Sequence, residues 1–329
     1  MPGVPLRIGL LSTARINLTL LAAARASGAA EVVAVASRDA SSAAEYARRH
    51  GIATAHDGYL DLLADAGVEA VYISVPNALH VDWALQAIAA GKHVLCEKPL
   101  TRSGEQARLV VAAAERAGVV LAEGFMYRHH PQMGALAGLV AGGAIGELER
   151  VSARFAFPAD PGEDAVLFDP GLDGGALLDV GCYCVSAARL LAGEPTHASG
   201  RTVAGRSGVD LRFEATLEFG GGVVGELTSA LDLPDDVRLV VAGSRTTATV
   251  ADPWHGLTPG ISLGNGERVA IAAADPYRLQ LEDFAAAVRE SRPALVSGAE
   301  IVAQARTLQA LIESARLGGT RLEIATAVP

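Results

Sequence analysis

Along the first third of the chain, short runs of Val, Ile and Leu alternate with longer Ala-rich stretches whose apolar positions repeat at helical spacing. That alternation predicts a parallel sheet with helices on both faces, since a strand covered on both sides reads as a continuous apolar run. Leu6–Leu11 reads as a strand, followed by a Ser/Thr/Ala turn and a helical run over Ile16–Ser27. Glu31–Ser37 is a second strand, followed by a helix over Asp39–His50 that opens on Asp and Ser cap candidates. Ala70–Val75 stops at Pro76 before a helix over His80–Ala90. His93–Cys96 stops at Glu97-Lys98-Pro99 before a helix over Gly104–Ala117, and Val119–Glu123 is a fifth short strand.

Beyond Glu123 the pattern changes. A helix near Gln132–Ala141 leads into Leu148–Phe157, and a helix over Ala176–Leu191 follows a double glycine. Leu211–Phe219, Val223–Leu231, Arg238–Ala242 and Thr246–Val250 alternate apolar and polar residues between Gly-rich or Pro/Asp turns, as antiparallel neighbours do. Helices over Leu279–Ser291 and Gly298–Leu317 close the chain.

At 329 residues, the chain is long enough for two cores. Half of its residues are hydrophobic and only 19% are charged, which excludes disorder. A net charge of −10 gives no basic footprint for nucleic acid. Cys96, Cys182 and Cys184 have neither a disulfide set nor zinc-site spacing, which fits a reducing compartment. No basic leader precedes an apolar run, and no stretch approaches the ~20 apolar residues of a spanning helix. A cytoplasmic protein with no membrane partner is expected.

A strand, turn and helix at the start offers helix N–H groups to a pyrophosphate, although the expected glycines are replaced by Ser12-Thr13-Ala14-Arg15-Ile16-Asn17. The alternative is an ordinary strand–helix corner, with Ser12 and Thr13 as hydroxyl donors only if a phosphate binds. At the end of the second strand Ser37-Arg38 stands where a ribose-binding acid would be, a pair suited to a 2′-phosphate. Lys98 sits at a strand C-terminus, where open parallel sheets bind ligands. Asp179 and Tyr183 lie four apart on a helix opened by Gly174-Gly175, facing one way as either chemistry or a core hydrogen-bonded pair. His129 and His130 are adjacent and lack a third ligand, so no metal site is expected. His80 opens a helix, as a cap or as crevice lining.

Together these residues resemble the glucose–fructose oxidoreductase/inositol dehydrogenase family, the Gfo/Idh/MocA family. Glu97-Lys98-Pro99 is similar to its EKP motif, and Gly174 to Tyr183 to its GGALxDxGxY segment. Glu123 to Pro131 and the Tyr at 183 are similar to the branch with glucose–fructose oxidoreductase, xylose dehydrogenase and dihydrodiol dehydrogenase. The resemblance implies an α/β fold. An N-terminal Rossmann doubly wound parallel sheet (residues 1–123) binds dinucleotide, and a C-terminal α/β domain (124–329) with a large open, mostly antiparallel sheet binds substrate and oligomerises. The last helices are expected to pack back on the first domain.

It further implies NADP, with NAD as the alternative, held by Ser12, Thr13, Ala14, Arg15, Ile16, Ser37 and Arg38. Pro76, Asn77, His80, Glu97 and Lys98 would line the nicotinamide ribose. Tyr183 would donate or accept the proton, Lys98 would polarise the substrate oxygen or tune Tyr183, and Asp179 would orient substrate or the lysine. Lys98, Arg128, Asp179 and Tyr183 would bind the substrate, a small carbohydrate-like molecule. Where relatives often carry Asn-Ile-Arg, this chain has Ala165-Val166-Leu167, so one side of the pocket is less polar. The implied activity is hydride transfer to or from a secondary alcohol or ketone of a sugar-like ring, in a homodimer or homotetramer. A dihydrodiol dehydrogenase and a non-catalytic dinucleotide-binding regulator are the alternatives.

Overall fold

The structure, a computed structural model, describes residues 4–162 and 164–324. The first half runs β1 (Leu6–Leu11), α1 (Asn17–Ser27), β2 (Ala30–Ser37), α2 (Ala40–His50), β3 (Thr54–Asp57), α3 (Tyr59–Ala64), β4 (Ala70–Ile73), α4 (His80–Ala89), β5 (His93–Cys96), α5 (Gly104–Ala117) and β6 (Leu121–Glu123). All six strands pair in parallel, in the order β3-β2-β1-β4-β5-β6. The order reverses between β1 and β4, so the crevice beyond the carboxyl ends of these strands is the place where such sheets bind ligands. β3 and α3 have no counterpart in the pattern read above. Thr54-Ala55-His56-Asp57 is a half-exposed edge strand without an apolar run, and α3 has only six residues.

The second half contributes α6 (Pro131–Ala141), β7 (Leu148–Pro158), α7 (Cys182–Ala192), β8 (His197–Ala204), β9 (Asp210–Glu218), β10 (Val224–Ala230), β11 (Asp232–Gly243), β12 (Thr247–Val250), β13 (Ile261–Leu263), β14 (Arg268–Val269), α8 (Pro276–Glu290), α9 (Ala299–Arg316) and β15 (Leu322–Glu323). Nine strands form the second sheet, in the order β14-β13-β12-β11-β7-β10-β9-β8-β15. Its pairs are antiparallel except β7 with β10. Val151, Ala153, Phe213 and Leu217 are buried on one face, and α7 packs on β7 and β10 there. The opposite face carries ion pairs, Arg150–Glu226, Arg154–Asp236 and Arg212–Asp232. Water can cover such a face, so it lacks the apolar argument for a partner.

The chain divides into two compact units. One takes residues 4–101, 105–129 and 275–302, and the other takes 102–104, 130–274 and 303–324. The first unit thus includes α8, whose Leu281 and Phe284 complete a core with Leu6, Ile8, Leu20 and Leu21. These side chains are fully or almost fully enclosed, and their burial from water is the main cohesive term of the unit.

The stretch Pro170–Ala192 corrects one expectation. Its length and hydropathy match those of a membrane-crossing helix. However, 83% of its apolar window is buried inside the protein, which marks a core segment.

Candidate active site

The turn after β1 is built without glycine. Ser12 adopts φ 144°, a region L residues rarely enter, at the place where dinucleotide folds use glycine for the tight turn. Four hydrogen bonds hold it there. Asn17 Nδ2 donates to the Ser12 carbonyl at 2.8 Å, and Ser74 Oγ donates to Asn17 Oδ1 at 2.6 Å. Ser12 Oγ lies 2.8 Å from Ser74 Oγ and accepts from the Ala14 N–H at 3.1 Å. Asn17 and Ser74, which the sequence reading passed over, are the buried ties of this turn. The Ser12 hydroxyl is therefore occupied inside the protein, which corrects its reading as a phosphate donor. Thr13, Ala14 and Ile16 are half-buried and Arg15 is exposed at the mouth of the turn.

At the tip of β2, Ser37 is half-buried and Arg38 is exposed. The carboxylate that follows, Asp39, caps α2. It accepts from the Ser41 and Ser42 N–H groups at 3.2 and 3.1 Å and from both hydroxyls. Those bonds, the Ser42 hydroxyl first, lower its pKa to about 2. The acid nearest the strand tip is thus committed to the helix, and the charge beside it at the tip is the exposed Arg38.

Pro76 and Asn77 are half-buried beyond β4, where Asn77 opens a single 3₁₀ turn. His80 corrects another expectation. It is completely buried, with Nδ1 2.8 Å from the Pro99 carbonyl oxygen and Nε2 2.8 Å from the Val75 carbonyl oxygen. It ties the loop after β4 to the loop after β5 from behind and does not line the crevice. Glu97 accepts a hydrogen bond from the Tyr72 hydroxyl and stands, with half-buried Lys98, against Tyr277 of α8. Burial, then the Glu97 charge, pushes the Tyr277 phenol up to about 12, against the opposing pull of Lys98. Tyr72 and Tyr277 carry no motif signal and emerge only from the fold.

Arg128, expected in the substrate pocket, has 7% of its side chain exposed and pairs with Glu300 at 3.3 Å. That pair engages Nη2 within the first unit, while Nη1 is buried without a hydrogen-bond partner among the described residues. His129 faces Asp283 at 3.4 Å, whereas His130 caps α6 by accepting from the Gln132 N–H at 3.2 Å. The two rings serve different partners. Among the described residues no group of three His, Cys, Asp or Glu is placed to hold a metal.

Asp179 and Tyr183 belong to the second unit. Gly174 is pressed against the Leu167 carbonyl, which it approaches closer than a Cβ would permit, and Gly175 takes φ 114°. After this turn, Leu177–Gly181 winds as a π-helix before α7 begins at Cys182. Such wide turns recur at functional sites. Asp179 is half-buried. The Tyr183 ring, 5% exposed, lies edge-on to Phe155 with centroids 5.5 Å apart and 5.8 Å from the Trp254 ring. Phe155 and Trp254 stack within 8° of parallel. α7 is anchored from the side by Gln304, whose Nε2 donates to the Cys182 carbonyl at 2.9 Å. A phenol set in this way has little rotamer freedom to lose when it acts on a substrate.

Residues 6–125 match the family description "Oxidoreductase family, NAD-binding Rossmann fold", and residues 133–249 match "GFO/IDH/MocA C-terminal domain". The chain is 39% identical to D-xylose 1-dehydrogenase (NADP(+)) 2 of Haloferax volcanii, over 94% of this chain and 97% of that protein. It is 34% identical to trans-1,2-dihydrobenzene-1,2-diol dehydrogenase of Mus musculus, over 80% of this chain and 79% of that one. A 3-ketoreductase from Actinomadura kijaniata, solved with NADP and TDP-benzene, superposes with a TM-score of 0.87 at 31% identity, covering 94% of this chain and 98% of that one. The chain thus belongs to the Gfo/Idh/MocA family of NAD-binding oxidoreductases.

Proposed function

We propose that the protein is an NADP-preferring dehydrogenase or reductase that moves a hydride to or from a secondary alcohol or ketone of a sugar or sugar-like ring. The observation that carries this reading is the seating of Tyr183. Its ring is fixed by Phe155 and Trp254 on a helix launched from a tight Gly174-Gly175 turn, an arrangement that a core tyrosine does not need. The residues also fit the dinucleotide. The N-terminus of α1 and the turn at residues 12–16 offer N–H groups to a pyrophosphate, and Arg38 offers a fork of donors to a 2′-phosphate. The bound nicotinamide supplies the hydride or takes it up.

The chain's own part is proton and charge management. Tyr183 gives its hydroxyl proton to the substrate oxygen in reduction and takes it back in oxidation. Lys98 stabilises negative charge on that oxygen or on the phenolate, since a cation within a few ångströms favours the anionic form of its neighbour. Asp179 orients the substrate hydroxyls or the lysine. Glu97, fixed by Tyr72, steadies the segment that presents Lys98. Retention of Lys98, Asp179 and Tyr183 favours an enzyme over a dinucleotide-binding regulator. Assembly as a homodimer or homotetramer, and a cytoplasmic location in which Cys96, Cys182 and Cys184 stay reduced, belong to the same proposal.

The test is kcat/KM with NADP⁺ and NAD⁺ for D-xylose, other pyranoses, anhydro-sugars, cyclohexanol and an aromatic trans-dihydrodiol. A site that hydrogen-bonds several hydroxyls discriminates strongly against analogues that lack them. Sugars are expected to lead. A dihydrodiol that exceeds every sugar tenfold would replace the carbohydrate reading with that of the mouse relative, and no turnover of any compound would return the regulator.

A further inference from the structure

Asp210 opens β9, far in sequence from Tyr183, and sits beneath the turn that launches it. One carboxylate oxygen, Oδ2, accepts from the Leu177 N–H at 2.7 Å. The other, Oδ1, is packed on the α-carbon of Gly175, where any Cβ would overlap it. Leu177 is the first residue of the π-helical turn, so Asp210 caps the helical run that carries Asp179 and Tyr183. A negative charge at this end also meets the positive pole of the run's aligned peptide dipoles.

From these contacts we infer that Asp210 is a positioning residue for catalysis. It fixes the Gly-Gly turn and the first turn of the helix, and through them the aim of Asp179 and Tyr183. This inference rests on the function proposed above.

Three further observations separate this role from that of a surface cap. Asp210 is half-buried, and burial pushes its carboxyl up to about 6 against the Leu177 N–H and its own backbone N–H, which pull it down. The group is therefore held in place at an electrostatic cost, where a serine hydroxyl would make the same bond without one. Second, the cations on the neighbouring cavity wall do not explain it. That cavity, of about 350 Å³, is also lined by Arg102, Asp173 and Arg316, but Arg102 is paired with Asp173 at 3.0 Å. Third, Gly175 has two reasons to be glycine, its φ of 114° and the oxygen beneath it. The double glycine of the motif and the aspartate of a distant strand are thus one device.

The experiment compares Asp210→Ala, Asp210→Asn and Tyr183→Phe in the full-length protein by two readouts. The first is hydrogen–deuterium exchange across residues 175–183. The second is turnover of D-xylose with NADP⁺, alongside NADPH affinity by fluorescence. Asp210→Ala is expected to speed exchange at Leu177 and lower kcat by about tenfold or more, an effect of misplacement, with NADPH affinity within twofold of wild type. Asp210→Asn keeps an acceptor oxygen of the same shape and is expected to restore both protection and kcat to within about threefold. Unchanged exchange in Asp210→Ala would overturn the inference. So would near-wild-type turnover in Asp210→Ala when Tyr183→Phe is inactive. If Tyr183→Phe itself turns over normally, the proposed function falls instead, and the exchange result alone decides the role of Asp210 in holding the turn.

Discussion

Asn17 holds Ser12 in a backbone conformation that serine would otherwise avoid, by donating from its side-chain amide to the Ser12 carbonyl at 2.8 Å. Ser74 closes the ring from the end of β4. Where most dinucleotide turns rely on the freedom of glycine, this one relies on three buried polar side chains that satisfy one another. Networks of this kind are rigid when complete and costly when broken.

Asn17→Ala is accordingly expected to weaken NADPH binding while leaving the chain folded. It leaves the Ser12 carbonyl without the Asn17 donor and takes one of the Ser74 hydroxyl's bonds, the other being to Ser12 Oγ, at a cost of about 1–3 kcal/mol. If half of that falls on the bound turn, affinity drops by about twofold to tenfold. Fluorescence titration of NADPH measures it, and an unchanged affinity would show that the network does not shape the phosphate turn.

The tip of β2 makes a separate prediction. With Asp39 turned into its helix cap, Arg38 is the charged group free to meet a 2′-phosphate. Arg38→Ala should raise the Kd for NADPH by about tenfold or more, the scale of a charge-assisted hydrogen bond of about 1.5–3 kcal/mol. The Kd for NADH should stay within twofold. Equal losses for the two cofactors would remove Arg38 from the account of specificity.

Acid should loosen the first unit through Glu69. The Arg289 side chain foremost, with the Arg7 backbone N–H and side chain, holds its carboxyl at about 2 rather than 4.5, against the opposing effect of burial. A depressed folded-state pKa contributes stability that is present above the unfolded value and is lost as pH falls through the folded one. Stability measured in urea should therefore decline between about pH 4.5 and pH 2. Arg289→Gln should flatten part of that decline, since Glu69 then titrates nearer its ordinary value. A wild-type profile in the variant would mean that Arg289, which joins α8 to the start of β4, does not set this pKa.

The alternation of apolar runs and Ala-rich stretches was enough to read β1, β2, β4 and β5 with α1, α2 and α4, because these strands are mostly buried. β3 and β8 escaped for the opposite reason. Thr54–Asp57 and His197–Ala204 are largely half-exposed or exposed, so water weakens the constraint on their side chains and the period fades. At the proposed site, Lys98, Asp179 and Tyr183 stood out because they sit in motifs. Ser74, Tyr72, Tyr277 and Asp210 did not, since each acts across a long sequence separation, and Asn17, five residues from Ser12, carries no local signal of the bond its side chain makes. Arg128 and His80 carried the right chemistry for a ligand but face Glu300 and two backbone carbonyls, partners that no local pattern announces.

The central claim is that Tyr183 moves the proton that accompanies hydride transfer. Tyr183→Phe keeps the ring against Phe155 and Trp254 and removes only the hydroxyl, so it isolates the chemistry from the packing. The measurement is kcat with NADP⁺ and the best sugar of the panel, wild type against Tyr183→Phe, with NADPH affinity determined on the same samples. The account predicts a loss of about 100-fold or more, the scale of a positioned acid–base group, with NADPH affinity within a few-fold of wild type. Turnover near the wild-type rate in Tyr183→Phe would contradict it.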